Sequence, residues 1–171
     1  GQGVFINSGV LHAVEQAESG NALLHSGVFH PRLVGGMDTI FWQKRIRPLL
    51  QPGAPAFFLL DSGTAWQREA LACLQDAWQA VADEPPDYEN EARYRLTTVL
   101  RLLGAQCEEG GVKVSQQEQI AAERMKQMLR FVEEHYAEEL TVERIAACVA
   151  LSESACLRSF RQLLGITPIQ Y

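Results

Sequence analysis

The stretch Leu140-Thr-Val-Glu-Arg-Ile-Ala-Ala-Cys-Val-Ala-Leu-Ser-Glu-Ser-Ala-Cys-Leu-Arg-Ser-Phe-Arg-Gln-Leu-Leu-Gly-Ile-Thr-Pro168 decides how this 171-residue chain is organised. Thr141 offers an N-cap, Glu143 places a negative side chain at the positive end of the helix dipole, and Ile145, Ala146 and Val149 recur at helical spacing. This spacing predicts a short helix from Val142 to Val149. Ser152 is a second N-cap, and the segment after it stops at Gly165, the residue type favoured just past a helix end. Two helices joined by so short a connection form a helix-turn-helix.

The second helix carries two stripes, because residues three and four apart share a face. Cys156, Phe160 and Leu163 are expected to face inward against Ile145 and Val149, while Ser154, Leu157, Arg158 and Arg161 fall on the opposite side. That outer set suits a DNA major groove: arginine pairs with guanine, serine donates or accepts, and an apolar side chain meets a thymine methyl. An amphipathic hairpin with a solvated arginine face has the same composition. Residue types alone leave both readings open.

The wording LTVERIAACVALSESACLRSFRQLLGITP resembles the first helix-turn-helix of the AraC/XylS family of transcription regulators, including Ala146 at the helix contact and the Arg158 to Arg161 R-x-F-R. By that resemblance Ser154, Leu157 and Arg158 meet base edges, and Arg161 meets a phosphate. Ser152, the cap, belongs to the same DNA-facing set. Alanine stands at 150 where the family usually has glycine, so a positive φ there would cost about 1 kcal/mol. Cysteine stands at 156 where the family usually has leucine.

Charge is uneven along the chain. The net charge of −6 argues against nucleic acid, which usually demands a basic footprint. Residues 1 to 104 carry eight basic and eleven acidic side chains, residues 105 to 140 four and eight, and residues 141 to 171 three and two. Only the DNA-facing end is positive, so the first hundred residues need another role. A hydrophobic content of 47% is ordinary for a globular chain. With no run of ~18 apolar residues and no leader, the chain reads as cytoplasmic and independent of membranes. Cys73, Cys107, Cys148 and Cys156 lack C-x-x-C spacing and read as reduced, buried thiols.

Near the N-terminus, Val4 to Ile6, Ala22 to His30 and Ala56 to Leu60 are strand-like runs bounded by Gly, Asn and Pro, including Pro52-Gly53. Gly1-Gln-Gly-Val-Phe-Ile-Asn7-Ser-Gly9-Val-Leu-His12-Ala-Val-Glu-Gln16 resembles the second cupin motif, with Gly1, Gly9 and His12 in register. Asn7 replaces its Pro and Gln16 its Asn. The resemblance implies a partial barrel whose metal-binding first motif lies outside this sequence. His25 and His30 would point to opposite strand faces and cannot chelate together. No metal or other cofactor is therefore expected, and His12 reads as a core histidine or as a ligand-binding group in an effector pocket. Residues 27–50 also resemble the family's sensory domain, with Ile40, Phe41 and Trp42 clustered beside the basic Lys44, Arg45 and Arg47. Such a basic cluster suits an anion or a solvated edge.

Downstream, a helix capped by Ser62 or Thr64 should present Trp66, Leu71, Leu74, Trp78 and Val81 on one face until Pro85-Pro86 stops it. A second, from about Tyr88 to Leu103, repeats Tyr88, Ala92, Leu96, Val99, Leu100 and Leu103. This hairpin has apolar surface to spare, and the resemblance implies a homodimer interface. Residues 104–119, with Glu108-Glu-Gly-Gly111, read as a linker, and a helix from about Gln119 to Tyr136 should turn Ile120, Met125, Met128, Leu129 and Val132 inward. Thr167-Pro168 opens a further helix; the family continues through it into a second helix-turn-helix, expected to be absent here.

The expected fold class is thus α+β: a partial cupin-like β-barrel over 1–62, a helical dimerisation hairpin over 63–104, a linker over 105–118, and an all-α helix-turn-helix unit over 119–171. The expected protein is not an enzyme. It is a homodimeric transcription regulator that binds double-stranded DNA and senses a small-molecule effector. The alternatives are a cupin-type metal-dependent enzyme and a protein-interaction module whose helical unit binds no DNA.

Overall fold

A computed structural model describes residues 1–14, 23–51, 53–107, 111–113 and 115–171. Gln16, Ala22, Pro52 and the residues 108–110 named above lie outside the described residues. Two compact units emerge: Gly1–Ser8 with Val14–Lys113, and Gly9–Ala13 with Val114–Tyr171. No helix among the described residues is long and apolar enough to cross a membrane.

The first unit is built on a two-stranded antiparallel sheet, β1 (Gly3–Ile6) and β2 (Phe57–Leu60), in the register Gly3 to Leu60 and Ile6 to Phe57. Alternation sorts the faces. Phe5 and Phe58 pair toward the core with ring centroids 6.5 Å apart, while the Val4 and Leu59 pair faces out. Val112 adds one bridge to Phe57, donating to its carbonyl at 2.8 Å and accepting from Ala56 at 2.7 Å. Part of the stretch read as linker is thus hydrogen-bonded into the first unit.

A barrel is not what the described residues form. The strand expected to end at His30 does not form over residues 23–30, where Leu23, Leu24 and Val28 are exposed, Val28 fully so. An apolar run becomes a strand only with a ladder partner, and these residues have none among those described. His30 instead caps a 3-10 turn, Pro31–Val34, its Nδ1 accepting from the Arg32 amide at 3.1 Å.

Next comes a helical stretch that contains a π segment, Trp42–Ile46, and continues as α1 (Arg47–Leu50). Thr39 Oγ1 accepts from the Trp42 amide at 3.1 Å. Trp42, Ile46 and Leu49 are buried, whereas Ile40, expected beside Trp42, is exposed. Asn7 explains its own departure from the cupin pattern. Its amide donates to Leu49 O at 2.5 Å and to Pro55 O at 3.0 Å, satisfying two carbonyls that proline could not reach.

The helical hairpin follows as α2 (Ala65–Asp83) and α3 (Tyr88–Ala105). Thr64 caps α2 in a reciprocal box with Gln67. The face of α2 that is most buried is Ala70, Cys73, Ala77 and Ala80, beside the stripe expected from the large residues. Small side chains let α3 come close with Val99, Leu100 and Leu103, leaving Trp66, Leu71 and Leu74 half-buried at the margin and Val81 exposed. Gly104 marks the tightest approach: a Cβ there would stand 2.2 Å from the Arg45 carbonyl oxygen. Among the described residues the core joins Phe58 and Leu60 to Trp42, Ile46, Leu49 and the inner face of α3.

The second unit holds α4 (Gln116–His135), α5 (Val142–Ala147) and α6 (Glu153–Leu164). Helix α4 begins three residues earlier than expected, because Ser115 and Glu118 form a capping box. Met125 and Met128 are buried and Phe131 joins Leu129 and Val132 against the same cluster; Ile120 is exposed and takes no part in it. Leu11 packs into this cluster, and Lys126 Nζ donates to Gly9 O.

Candidate nucleic-acid interface

The helix-turn-helix forms where its caps place it. Thr141 Oγ1 accepts from the Arg144 amide at 3.3 Å, and Ser152 Oγ accepts from the Ala155 amide at 3.3 Å. Between the helices, Leu151 N donates to Ala146 O at 3.0 Å and Ala150 N to Ala147 O at 3.1 Å. These two bonds are a Schellman closure, with Val149 as the last residue of the helical turn and Ala150 in the left-handed position at φ 54°. The strain expected of alanine at this position is therefore present, at about 1 kcal/mol relative to glycine. Gly165, at φ 71°, closes α6 by donating to Arg161 O.

Packing fixes which face of α6 is free. Cys156 and Phe160 are fully buried against Ile145, Ala146, Val149, Met125 and Met128. Leu164 completes the inner stripe; Leu163, expected there, is 40% exposed, because α6 is rotated so that residue 164 follows 160 by one full turn. Burying a side chain the size of Phe160 is worth about 1.5 to 3 kcal/mol, enough to orient a twelve-residue helix.

On the opposite face stand Ser152, Ser154, Arg158 and Arg161, all exposed, with Leu157 half-buried between them. Ser152 and Ser154 lie with their hydroxyl oxygens 3.2 Å apart. Among the described residues neither Arg158 nor Arg161 has a carboxylate partner, in contrast to Arg144, which binds Glu138 at 2.7 Å and stacks its guanidinium 5.9 Å from the Phe131 ring centre. Arg144 holds the Glu138 carboxyl below the usual carboxylate range. The three arginines of residues 141–171 are thus divided between one tied into the scaffold and two that, among the described residues, have no carboxylate partner.

Other sequence candidates sit elsewhere. His12 is exposed, with Nδ1 3.0 Å from Val10 O. His25 stacks flat on Trp78 at 3.7 Å and contacts Gln75 at 3.1 Å. Burial pushes the Cys73 and Cys156 thiols up, which makes them inert packing groups; Cys148 alone of the four is exposed, against the expectation of burial. A turn that the sequence marked by Thr167-Pro168 also forms: Gln170 Oε1 accepts from Thr167 N at 2.9 Å and from its hydroxyl at 3.0 Å. Gln170, three residues after Thr167, holds the position from which a capping-box side chain bonds back to the N-cap amide.

Residues 132–171 match the pattern of bacterial regulatory helix-turn-helix proteins of the AraC family. The match begins in the last turn of α4 and takes in α5, the turn, α6 and the capped turn at Thr167. Over 174 residues, covering all of this chain, the sequence is 30% identical to an uncharacterized HTH-type transcriptional regulator, YdeC, of Bacillus subtilis (strain 168). The chain spans 57% of that relative's length. No solved structure matches it. The caps, the inner stripe and the matched pattern together make residues 132–171 a helix-turn-helix of the AraC type.

Proposed function

We propose that the chain is the DNA-binding and signal-receiving part of a cytoplasmic transcription regulator that reads DNA with α6. The observation that carries this reading is the outer face of α6: two hydroxyls and two guanidiniums without a carboxylate partner among the described residues, on a helix held from behind by Phe160. Ser154, Leu157 and Arg158 are assigned to base edges, Arg161 to phosphate, and Ser152 to the end of the reading helix nearest the duplex.

Binding of duplex DNA by the full-length regulator over a salt series tests the assignment. Arg158→Ala should cost about 1 to 3 kcal/mol at one base position and leave non-specific binding nearly unchanged. Arg161→Ala should weaken all sequences alike and lower the salt slope by about one. Equal losses on every sequence for both variants would reduce α6 to a backbone clamp.

Effector sensing is assigned to the first unit, as part of a cupin-like domain to which β1 and β2 contribute. His12, in the Gly9–Ala13 segment of the second unit, is a separate candidate ligand contact, checked by His12→Ala in a ligand-binding assay. A homodimer through the α2–α3 hairpin supplies the two-fold symmetry that paired DNA half-sites require. The exposed Val81 and Tyr94 and the half-buried Leu96 support that surface. Leu96→Glu should shift the protein to monomer in sedimentation, and an unchanged dimer would move the interface elsewhere.

A further inference from the structure

We propose that a cleft in the first unit, between the end of β1 and the turn at His30, binds a small organic carboxylate through Arg32. This deepens the effector-sensing part of the reading above and rests on it. The cleft holds about 270 Å3, just under the usual range of ~300 to 1,000 Å3 for ligand pockets, so it suits a compact molecule. Pro31, Met37, Trp42 and Leu50 give it apolar walls, and Trp42 is itself anchored in the core.

Three of the lining residues carry side-chain groups that can donate: Ser8 its hydroxyl, His30 its ring and Arg32 its guanidinium. Because His30 Nδ1 accepts from the Arg32 amide, the neutral ring carries its proton on Nε2. Arg32 is exposed, and among the described residues its guanidinium reaches only the Met37 sulfur, at 3.8 Å, a weak acceptor. Among the described residues no carboxylate lines the cleft.

The chain segment that supplies most of the lining is basic. From Leu23 to Leu60 the chain has Arg32, Lys44, Arg45 and Arg47 against Asp38 alone, within a protein of net charge −6. An unpaired planar fork beside apolar walls recognises a carboxylate joined to an apolar body, because the fork gives two parallel charge-assisted bonds and the walls take the rest.

Calorimetric titration of the whole chain with phenylacetate, with its uncharged analogue 2-phenylacetamide, and with inorganic phosphate tests the site. Phenylacetate should bind at least about tenfold tighter than the amide, and tighter than phosphate, which has no apolar body. Arg32→Gln, which removes an exposed side chain and should leave the melting curve in place, should lose that preference. Met37→Glu puts a negative charge on the exposed rim and should weaken phenylacetate while sparing the amide. Equal binding of acid and amide, full binding by Arg32→Gln, or no binding of phenylacetate at millimolar concentration would each overturn the proposal. Duplex binding separates the two readings: DNA bound without any carboxylate response sinks the cleft alone, and a carboxylate response in a full-length regulator that binds no DNA sinks the regulator.

Discussion

The helix-turn-helix and the two-stranded sheet are held by opposite kinds of contact. Across the turn, Leu151 bonds to Ala146 and Ser152 caps Ala155, so each decisive bond spans a few residues. In the sheet, Gly3 pairs with Leu60 and Ile6 with Phe57, partners more than fifty residues apart. Local bonds are written in neighbouring letters; distant ones depend on where the rest of the chain goes.

The largest expected effect probes the locally coded unit. Phe160→Ala should lower its stability by about 3 to 5 kcal/mol in chemical denaturation, since the ring is fully buried among six other core side chains. A loss below about 1 kcal/mol would mean that local caps, and not the shared core, hold the unit. Gly104→Ala probes the distant contacts. Its Cβ would meet the Arg45 carbonyl, backbone against backbone, and a loss of about 1 to 3 kcal/mol is expected despite alanine's better helix propensity. A gain in melting temperature would show that α3 can shift away without penalty.

Ala150→Gly should give the smallest change and the opposite sign. Releasing a left-handed alanine stabilises by about 0.5 to 1 kcal/mol, partly offset by the greater freedom of glycine in the unfolded chain. An unaltered melting curve would make that offset complete.

The same contrast explains what could be read from the sequence. Thr141, Ser152 and Gly165 marked the helix ends because each cap bonds within its own turn. The run that ends at His30 had the composition of a strand, yet composition does not supply a partner, and residues 23–30 form none. Ser115 and Glu118 carry the spacing of a capping box, so α4 starts ahead of its apolar period, which begins later. Leu163 and Leu164 could not be told apart by pattern, because the two adjacent leucines sit on either side of the boundary between the faces. The Ala70, Cys73, Ala77 and Ala80 stripe was hidden for a related reason. Large residues draw the eye to one face, while close helix contact selects the small ones.

The meeting of Gly104 with the Arg45 carbonyl makes two neighbours unequal under mutation. The oxygen that blocks a side chain at 104 belongs to the main chain, which every amino acid carries. Position 45 should therefore accept most replacements in a scan of all substitutions, while position 104 accepts almost none. One partner in the contact is fixed to a single letter, and the other is free to diverge.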